Sequence, residues 1–270
     1  MKRIQLFEFE DFDWLPNVIR SGITSLIMVL HRMMGTSQLL ANIISETRDK
    51  FDFDQIIDLG SGSGGPMIDT LNLLNESLPQ DQKLQLLLTD KYPNADVVDR
   101  INNSTSSNIR YNSESVDASL LDEAPNGLKT MVASFHHMNP KNAKSILHSA
   151  ELSNQPILIY EIAKNNVPTL LWWLLLPLSL VILIIMSMIM TVVVRPVRLS
   201  QLLFTFIIPI IPIIYAWDGQ ASLMRTYTFE DVRTMLPNPA NDNYIWEIQD
   251  AYKQNGKKSG YYVLGYPKIS

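Results

Sequence analysis

Residues 55–65 read Gln55-Ile-Ile-Asp-Leu-Gly-Ser-Gly-Ser-Gly-Gly65, a short apolar run followed by four glycines within six residues. The apolar run predicts a buried strand, and Pro66 to Leu74 carries apolar residues at the spacing of a helix. Glycine lets a ligand approach bare backbone, and the N-terminus of the following helix carries a partial positive charge. The stretch therefore predicts a strand, a ligand-binding turn and a helix in an α/β fold.

Two cofactor patterns overlap in this turn. Gly60, Gly62 and Gly65 fit G-x-G-x-x-G, the dinucleotide pattern. Asp58 to Gly64 fits acid-x-G-x-G-x-G, and here the chain resembles the class I S-adenosylmethionine (SAM) methyltransferases. The acid before the first glycine favours SAM, which has an amino group and a sulfonium but no pyrophosphate. A tight turn without a ligand is the third interpretation.

The resemblance implies a Rossmann-like α/β fold: a seven-stranded class I methyltransferase sheet that ends in a C-terminal β-hairpin. It also implies SAM as cofactor. Asp90 ends the predicted second strand, Leu84 to Asp90, where the family keeps the acid that binds the ribose hydroxyls. The alternative is a turn-forming aspartate. Asp117 is the candidate for the adenine amino group. The full set of predicted cofactor-binding residues is Asp58, Gly60, Ser61, Gly62, Gly64, Asp90, Lys91, Asp117 and Ser134.

Two of the four histidines follow the predicted fourth strand, Lys129 to Phe135, in the sequence Phe135-His-His-Met-Asn-Pro140. In open α/β sheets the site lies at the carboxyl ends of the strands. An imidazole with a pKa of about 6.5 is suited to accept a proton from a hydroxyl or amine. We therefore predict His137, and next His136, as the catalytic base. The alternative is that the histidines only shape the pocket or bond to the backbone.

The overall composition excludes several classes of function. The chain has 270 residues and a net charge of −5, so no broad basic surface for nucleic acid is expected. It has no cysteine, which rules out disulfides and thiolate metal sites, and four histidines leave little for zinc. We therefore expect no metal. The acidic N-terminal region is not typical of a signal peptide.

A long uncharged segment interrupts the α/β pattern. Val167 to Val194 contains no charged residue and would span about 42 Å as a helix, against a hydrocarbon core of about 30 Å. After Arg195-Pro-Val-Arg198, the stretch Leu199 to Trp217 is again uncharged, about 28 Å if helical. We predict a membrane-inserted helical hairpin over residues 166–217. A hairpin buried in a large soluble core is the alternative.

The strands predicted after this insertion, Asn243 to Tyr252 and Gly260 to Pro267, are needed to complete the sheet. Both halves of the domain must then lie on one side of the membrane. A spanning hairpin would place Arg195 and Arg198 on the far side, against the positive-inside rule. Proline should also break its helices, at Pro177, Pro209 and Pro212. These features favour a re-entrant or interfacial hairpin whose arginines reach the phosphates of the near leaflet; a spanning hairpin remains open.

The sequence thus divides into four parts: an N-terminal helical leader or lid (1–50), a SAM-binding α/β core (51–165), the membrane-inserted hairpin (166–217) and the C-terminal part of the core (218–270). The stretch Trp217 to Tyr227 and the opening Phe7 to Pro16 are similar to membrane-associated bacterial methyltransferases of class I. Candidates for binding a head group or a polar substrate end are Asp218, Arg225 and Tyr227. A structural salt bridge at the junction is the alternative.

The predicted function is SAM-dependent methyl transfer to a lipophilic or membrane-resident acceptor at the cytoplasmic face of a bacterial inner membrane. A quinone, lipid or apolar pigment is favoured as acceptor over a sugar or nucleic acid. The expected partners are the lipid bilayer and this lipophilic small molecule, with a membrane-protein complex as a further candidate. The alternatives are a membrane-anchored NAD(P)-dependent oxidoreductase and a non-catalytic subunit of a membrane complex.

Overall fold

The computed structural model describes residues 3–76, 78–104, 107–238 and 241–268. The chain folds into two compact units. The insertion unit comprises Met1–Met34 and Lys164–Thr228, and the sheet unit comprises Gly35–Ala163 and Phe229–Ser270.

The sheet unit contains a seven-stranded sheet. Its strands are β1 Gln55–Leu59, β2 Gln85–Thr89, β3 Ile109–Tyr111, β4 Leu128–Val132, β5 Ile157–Glu161, β6 Tyr244–Tyr252 and β7 Lys258–Pro267. The spatial order is β3-β2-β1-β4-β5-β7-β6. β1 to β5 are parallel, and β7 runs antiparallel to both β5 and β6. The predicted seven-stranded methyltransferase sheet with a C-terminal hairpin is confirmed.

The helices, numbered in chain order, are α1 Asn17–Met34, α2 Thr36–Arg48, α3 Met67–Glu76, α4 Ala95–Asn102, α5 Pro140–Leu152, α6 Thr169–Thr191, α7 Leu199–Leu202, α8 Ile210–Arg225 and α9 Phe229–Met235. In the sheet unit, buried Leu40 and Ile44 of α2 form one apolar cluster with Ile56 of β1 and Leu71 of α3. This cluster fixes the strand–turn–helix unit that carries the glycines. The order of strands reverses between β1 and β4, so their carboxyl ends form the crevice in which such sheets bind ligands.

The fourth strand is shorter than predicted. It ends at Val132, and Phe135–His137 forms a 3-10 turn. The reason lies at Ala133, which has φ 50°, a left-handed conformation that side chains other than glycine seldom adopt. Its amide still donates to the Tyr160 carbonyl at 2.8 Å, so the chain leaves the sheet immediately after this bond. Strained backbone of this kind is typical of functional sites, and it directs the two histidines out of the strand.

The insertion unit is built from α1, α6, α7 and α8. Its apolar cluster joins Ile23 and Leu26 of α1 to Met190 of α6 and Ile211 and Ile214 of α8. A π-helical turn, Leu203–Ile207, continues α7.

The prolines of this unit act differently from one another. The prediction that Pro177 breaks its helix is wrong, because α6 continues through it. Pro209 does mark a break: α8 begins directly after it, and the two segments that it separates are bent by 79°. Pro212 lies in the first turn of α8, where a missing amide hydrogen removes no helical bond.

Among the described residues, one helix is long and apolar enough to cross a membrane. This is α6, which has 23 residues. Only 22% of its most apolar stretch is buried within the protein. The two segments Leu199–Ile207 and Ile210–Arg225 are long and apolar enough to cross a membrane only when they are counted together. The low buried fraction distinguishes α6 from the core helix of a large soluble domain.

Candidate active site

The glycine loop between β1 and α3 combines strained backbone with open space. Gly60, Gly62 and Gly64 have φ of 68°, 52° and 103°. A Cβ on Gly64 would lie 2.8 Å from Cδ1 of Ile68, and its φ of 103° is a conformation that favours glycine. A Cβ on Gly62 would have no neighbour within 4 Å. The loop is therefore tight beneath Gly64 and open at Gly62, as a surface that receives a ligand should be.

Asp58, the acid of the motif, is buried and points into the protein. Its Oδ1 accepts a hydrogen bond from Thr130 Oγ1 at 2.7 Å, and its Oδ2 accepts one from Ser61 Oγ at 2.7 Å. Burial raises the pKa of this carboxyl to about 6. Asp58 thus ties the glycine loop to β4, and both of its oxygens are engaged within the protein. Its predicted contact with the cofactor remains a prediction.

Asp90 follows β2 directly and supports the loop from the side. Its Oδ2 accepts from the Gly62 amide at 3.0 Å and its Oδ1 from the Tyr92 amide at 2.9 Å. Two residues that the sequence analysis missed also hold the loop: Tyr111 Oη donates to the Gly62 carbonyl at 2.9 Å, and Arg100 donates to the Ser63 carbonyl at 3.2 Å. A half-buried carboxylate therefore lies beside Gly62, at the position predicted for the ribose-binding acid.

Lys91 and Asp117, both predicted to bind cofactor, form an ion pair at 2.7 Å. The hydrogen bond from Lys91, with others from Ser119, lowers the pKa of Asp117 to about 2. The Val116 amide donates to the Asp90 carbonyl at 3.0 Å, which brings this loop to the end of β2. The structure therefore places Asp90, Lys91 and Asp117 along one edge.

Ser134 carries a polar atom that its surroundings do not satisfy. Its hydroxyl oxygen is buried and has no hydrogen-bond partner in the part of the chain that the structure describes. A Cβ on Gly60 would lie 3.7 Å from this oxygen. The hydroxyl is therefore next to the glycine loop, at the ends of β1 and β4. Buried polar groups are almost always hydrogen-bonded, so an unsatisfied one at this point is a place for a ligand atom.

His136 is held by a carboxylate. Glu161, the last residue of β5, accepts from the His136 amide at 2.9 Å and contacts its ring Nδ1 at 2.8 Å. Both side chains are buried, at 7% and 3% exposure. His137 is half-buried, and its ring centroid lies 4.4 Å from that of His136. The two predicted histidines are thus together, and a buried acid holds the ring of His136.

Glu161 was missed by the sequence analysis, although a signal was present. The apolar run Pro156 to Tyr160 ends in this acid, just as the first two predicted strands end at or near Asp58 and Asp90. Acids at the carboxyl ends of parallel strands face the crevice of the sheet. The same rule that selected Asp90 therefore also selects Glu161.

Asp218 lies in the insertion unit and is engaged within it. Its Oδ1 accepts from the Phe9 amide at 2.8 Å and its Oδ2 from the Glu10 amide at 3.3 Å. The carboxylate, on α8, therefore fixes the backbone of the N-terminal segment.

Arg225 and Tyr227 also contact the N-terminal segment. The Arg225 guanidinium is buried and pairs with Glu8 at 3.0 Å and with Asp11 at 2.5 Å. Tyr227 is buried beneath the guanidinium of Arg3, whose carbon lies 4.6 Å from the ring centroid. The arrangement matches the structural alternative, a salt bridge at the junction. Binding of a substrate by Asp218, Arg225 or Tyr227 remains a prediction.

No protein-family model matches this sequence, and no curated protein matches it. Several solved structures, however, are similar to this chain. The plantazolicin methyltransferase BpumL in complex with SAH (S-adenosylhomocysteine) is 11% identical, with a TM-score of 0.54 over 93% of this chain and 98% of that one. BpumL with a monoazolic desmethylPZN analog and SAH is 12% identical, with a TM-score of 0.51 over 93% and 98%. The plantazolicin methyltransferase BamL with a triazolic desmethylPZN analog and SAH is 11% identical, with a TM-score of 0.51 over 94% and 98%.

The fold is that of class I SAM-dependent methyltransferases. The similarity extends over most of both chains. The recognition of this fold from the glycine stretch is thereby confirmed.

Proposed function

We propose that this protein is a SAM-dependent methyltransferase in which His136, oriented by Glu161, takes the proton of the acceptor. One observation carries the proposal. The open glycine loop, Asp90 and the His136–Glu161 pair all lie at the carboxyl ends of β1, β2, β4 and β5, four strands that adjoin in one sheet. A glycine loop that is open at Gly62 and a proton acceptor are thus on one edge, where sheets of this kind bind their ligands.

The residues at this edge fit SAM. The loop is open at Gly62, Asp90 offers a carboxylate for ribose hydroxyls, and Ser134 has an unsatisfied hydroxyl beside Gly60. Lys91 and Asp117 would border the adenine. When bound, SAM supplies a methyl group activated by the sulfonium. The complexes of BpumL and BamL with SAH support this assignment of cofactor.

His136 has the orientation that a general base requires. Since the Glu161 carboxylate is an acceptor, Nδ1 carries the hydrogen, and the lone pair of the neutral ring lies on Nε2. Nε2 would accept the proton of a hydroxyl or amine as the acceptor attacks the methyl group. The buried carboxylate then stabilises the imidazolium that forms. This arrangement supports His136 as the base, whereas the sequence alone gives His137 first and His136 second.

We further propose that the acceptor is lipophilic and enters from the membrane. The support is the insertion unit, which exposes a long apolar helix that a soluble enzyme would not maintain. The similar proteins BpumL and BamL are in complex with desmethylPZN analogs and not with a membrane lipid. The acceptor class therefore rests on this chain's own surface.

Binding of SAH is the first test of the proposed cofactor. We expect micromolar SAH binding by calorimetry to the detergent-solubilised protein. Asp90→Ala should abolish it, whereas Asp96→Ala, at an exposed acid in α4, should not. Binding of NADH in place of SAH would instead support the oxidoreductase and overturn the proposal.

Methyl transfer is the second test. Labelled SAM, incubated with protein and a lipid extract, should give a labelled lipid product with the wild type and not with His136→Gln. SAH affinity of this variant should stay within a few-fold. Unchanged turnover in His136→Gln together with its loss in His137→Gln would reassign the base. SAH binding without transfer to any lipid or soluble extract would indicate the non-catalytic subunit.

A further inference from the structure

We propose that the insertion unit is a monotopic membrane anchor: the segment from α6 to α8 lies within one leaflet and binds the phosphates of anionic lipids through Arg195 and Arg198. The proposal deepens the membrane association proposed above and does not depend on methyl transfer. It assigns the partner of the apolar surface and the side of the membrane on which the tip of the hairpin lies.

Helix α6 has one face toward the protein and one face that is bare. Its buried residues include Trp172, Leu176, Ser187, Met190 and Thr191. The opposite face is apolar and exposed along the whole helix, about 34 Å. The residues that define this stripe are Leu170, Leu174, Leu178, Val181, Ile185 and Ile189, between 53% and 84% exposed. At 100° per residue they fall within an arc of roughly 100°, which is the stripe that a helix presents to one apolar phase.

The return path is bent and contains no single straight helix long enough to cross a bilayer. Leu199–Ile207 has nine residues, about 13 Å, and is bent by 79° against α8. In α8 only Ile210 to Trp217 precedes the buried acid Asp218, which leaves about 12 Å of straight uncharged helix. The hydrocarbon core is about 30 Å thick. Neither limb therefore spans it.

The topology of the sheet requires an even number of crossings. β5 ends at Glu161, before the insertion, and β7 pairs with β5 through residues such as Tyr160 and Tyr262. The chain therefore leaves one sheet and returns to it. A single crossing by α6 would leave the return segment on the wrong side, and the bent return path offers no second straight helix for another crossing. A hairpin that stays within one leaflet satisfies both conditions.

The tip of the hairpin carries positive charge that a phosphate would match. Arg195 and Arg198 are exposed, and one terminal nitrogen of Arg195 donates to the carbonyls of Val192 and Val194 at 3.0 and 2.8 Å. The side chain of Arg198 has no partner among the described residues. Guanidinium groups bind phosphates in a bidentate manner. Residues 166–217 contain no acid. A second copy that packed through the same hairpin would bring two more arginines and no acid, so an anionic lipid surface is the partner that fits.

Cysteine labelling tests on which side the tip lies. The chain has no native cysteine, so Val197→Cys at the tip and Tyr92→Cys in the sheet unit each give one reactive site; these side chains are 45% and 81% exposed. Both variants are produced in a bacterial host and treated with a membrane-impermeant maleimide. We expect both to be labelled in inside-out vesicles and neither in intact spheroplasts. Labelling of Val197→Cys, but not Tyr92→Cys, from outside spheroplasts would overturn the monotopic arrangement and leave the proposed function intact. Protection of Val197→Cys until detergent is added would overturn the contact with phosphates.

Flotation with vesicles tests the lipid partner. We expect the purified protein to float with vesicles containing phosphatidylglycerol. The double variant Arg195→Gln/Arg198→Gln should bind them about 10-fold more weakly, with little change on pure phosphatidylcholine. The matched control Lys141→Gln/Lys144→Gln removes two exposed cations from α5 and should behave as wild type. A protein that floats with neither vesicle and is dimeric by light scattering would show a second copy on the apolar face. That result would overturn the anchor and the membrane source of the acceptor, while SAH binding would stand as a separate result.

Discussion

Glu161 accepts hydrogen bonds from both the main-chain amide and the ring Nδ1 of His136, at 2.9 and 2.8 Å. The two residues are 25 positions apart and lie at the ends of the adjacent strands β5 and β4. The double contact fixes the position of the ring and its tautomer together. A histidine held in this way keeps one ring orientation and one tautomer, which a positioned base requires.

The first prediction concerns this pair. Glu161→Gln should lower kcat about 100-fold while SAH affinity changes little, because the amide no longer stabilises the imidazolium. The acidic limb of the pH–rate profile should also move to lower pH, since loss of the carboxylate disfavours the protonated ring. Steady-state kinetics from pH 5 to 9 measure both effects. The control is Glu151→Gln, which alters a buried acid bonded to Trp246 and the Asn241 amide. If the control shifted the profile equally, the effect would not be specific to His136.

The second prediction separates ligand binding from backbone strain. Gly62 and Gly256 both have left-handed φ, 52° and 76°, and both would have open space around an added Cβ. Alanine at either site should cost about 1–2 kcal/mol. Only Gly62→Ala should weaken SAH binding, by about 10-fold or more, because only that methyl group would meet the ligand. Equal SAH affinity of the two variants, measured by calorimetry, would show that SAH does not approach Gly62.

The third prediction concerns the pH dependence of stability at Asp58. Its pKa is raised to about 6 by burial, so its stabilising contribution is fully present below pH 4 and is lost as the pH rises through 6. The free energy of unfolding of Asp58→Asn relative to wild type should therefore rise by about 1–3 kcal/mol between pH 4 and 7. Denaturant titrations at several pH values provide the measurement. A difference that stays constant across this range would mean that Asp58 is not the titrating group.

The fourth prediction concerns the buried ion pair between Arg225 and Glu8, which holds the N-terminal segment. Arg225→Gln removes the guanidinium that pairs with buried Glu8 and should cost about 3–5 kcal/mol. We expect a lower thermal midpoint and faster proteolysis within residues 3–16. Arg233→Gln, at an exposed cation of α9, should change neither. A wild-type midpoint in Arg225→Gln would show that the buried pair contributes no net stability.

Local sequence predicted those parts of the site that depend on a few consecutive residues. The strand, the glycine turn and the acid after the second strand follow from hydrophobic period and from the conformations open to glycine. The end of β4 was not predictable in this way, because Phe135 suits a strand and only the left-handed Ala133 takes the chain out of the sheet. At Pro177 the local sequence predicts a helix break that does not occur, because α6 continues through the proline.

What the sequence determined by itself was the class of fold, the surface that can hold a cofactor and the presence of an uncharged segment. The tertiary structure decided which side chains face one another. Asp58 meets Thr130, 72 residues away, and Arg225 meets Asp11, 214 residues away. Such pairs depend on strand register and helix packing, which juxtapose distant residues without leaving a local pattern. For that reason only the folded chain shows that Glu161 meets His136 and that Asp218, Arg225 and Tyr227 are bonded within the protein.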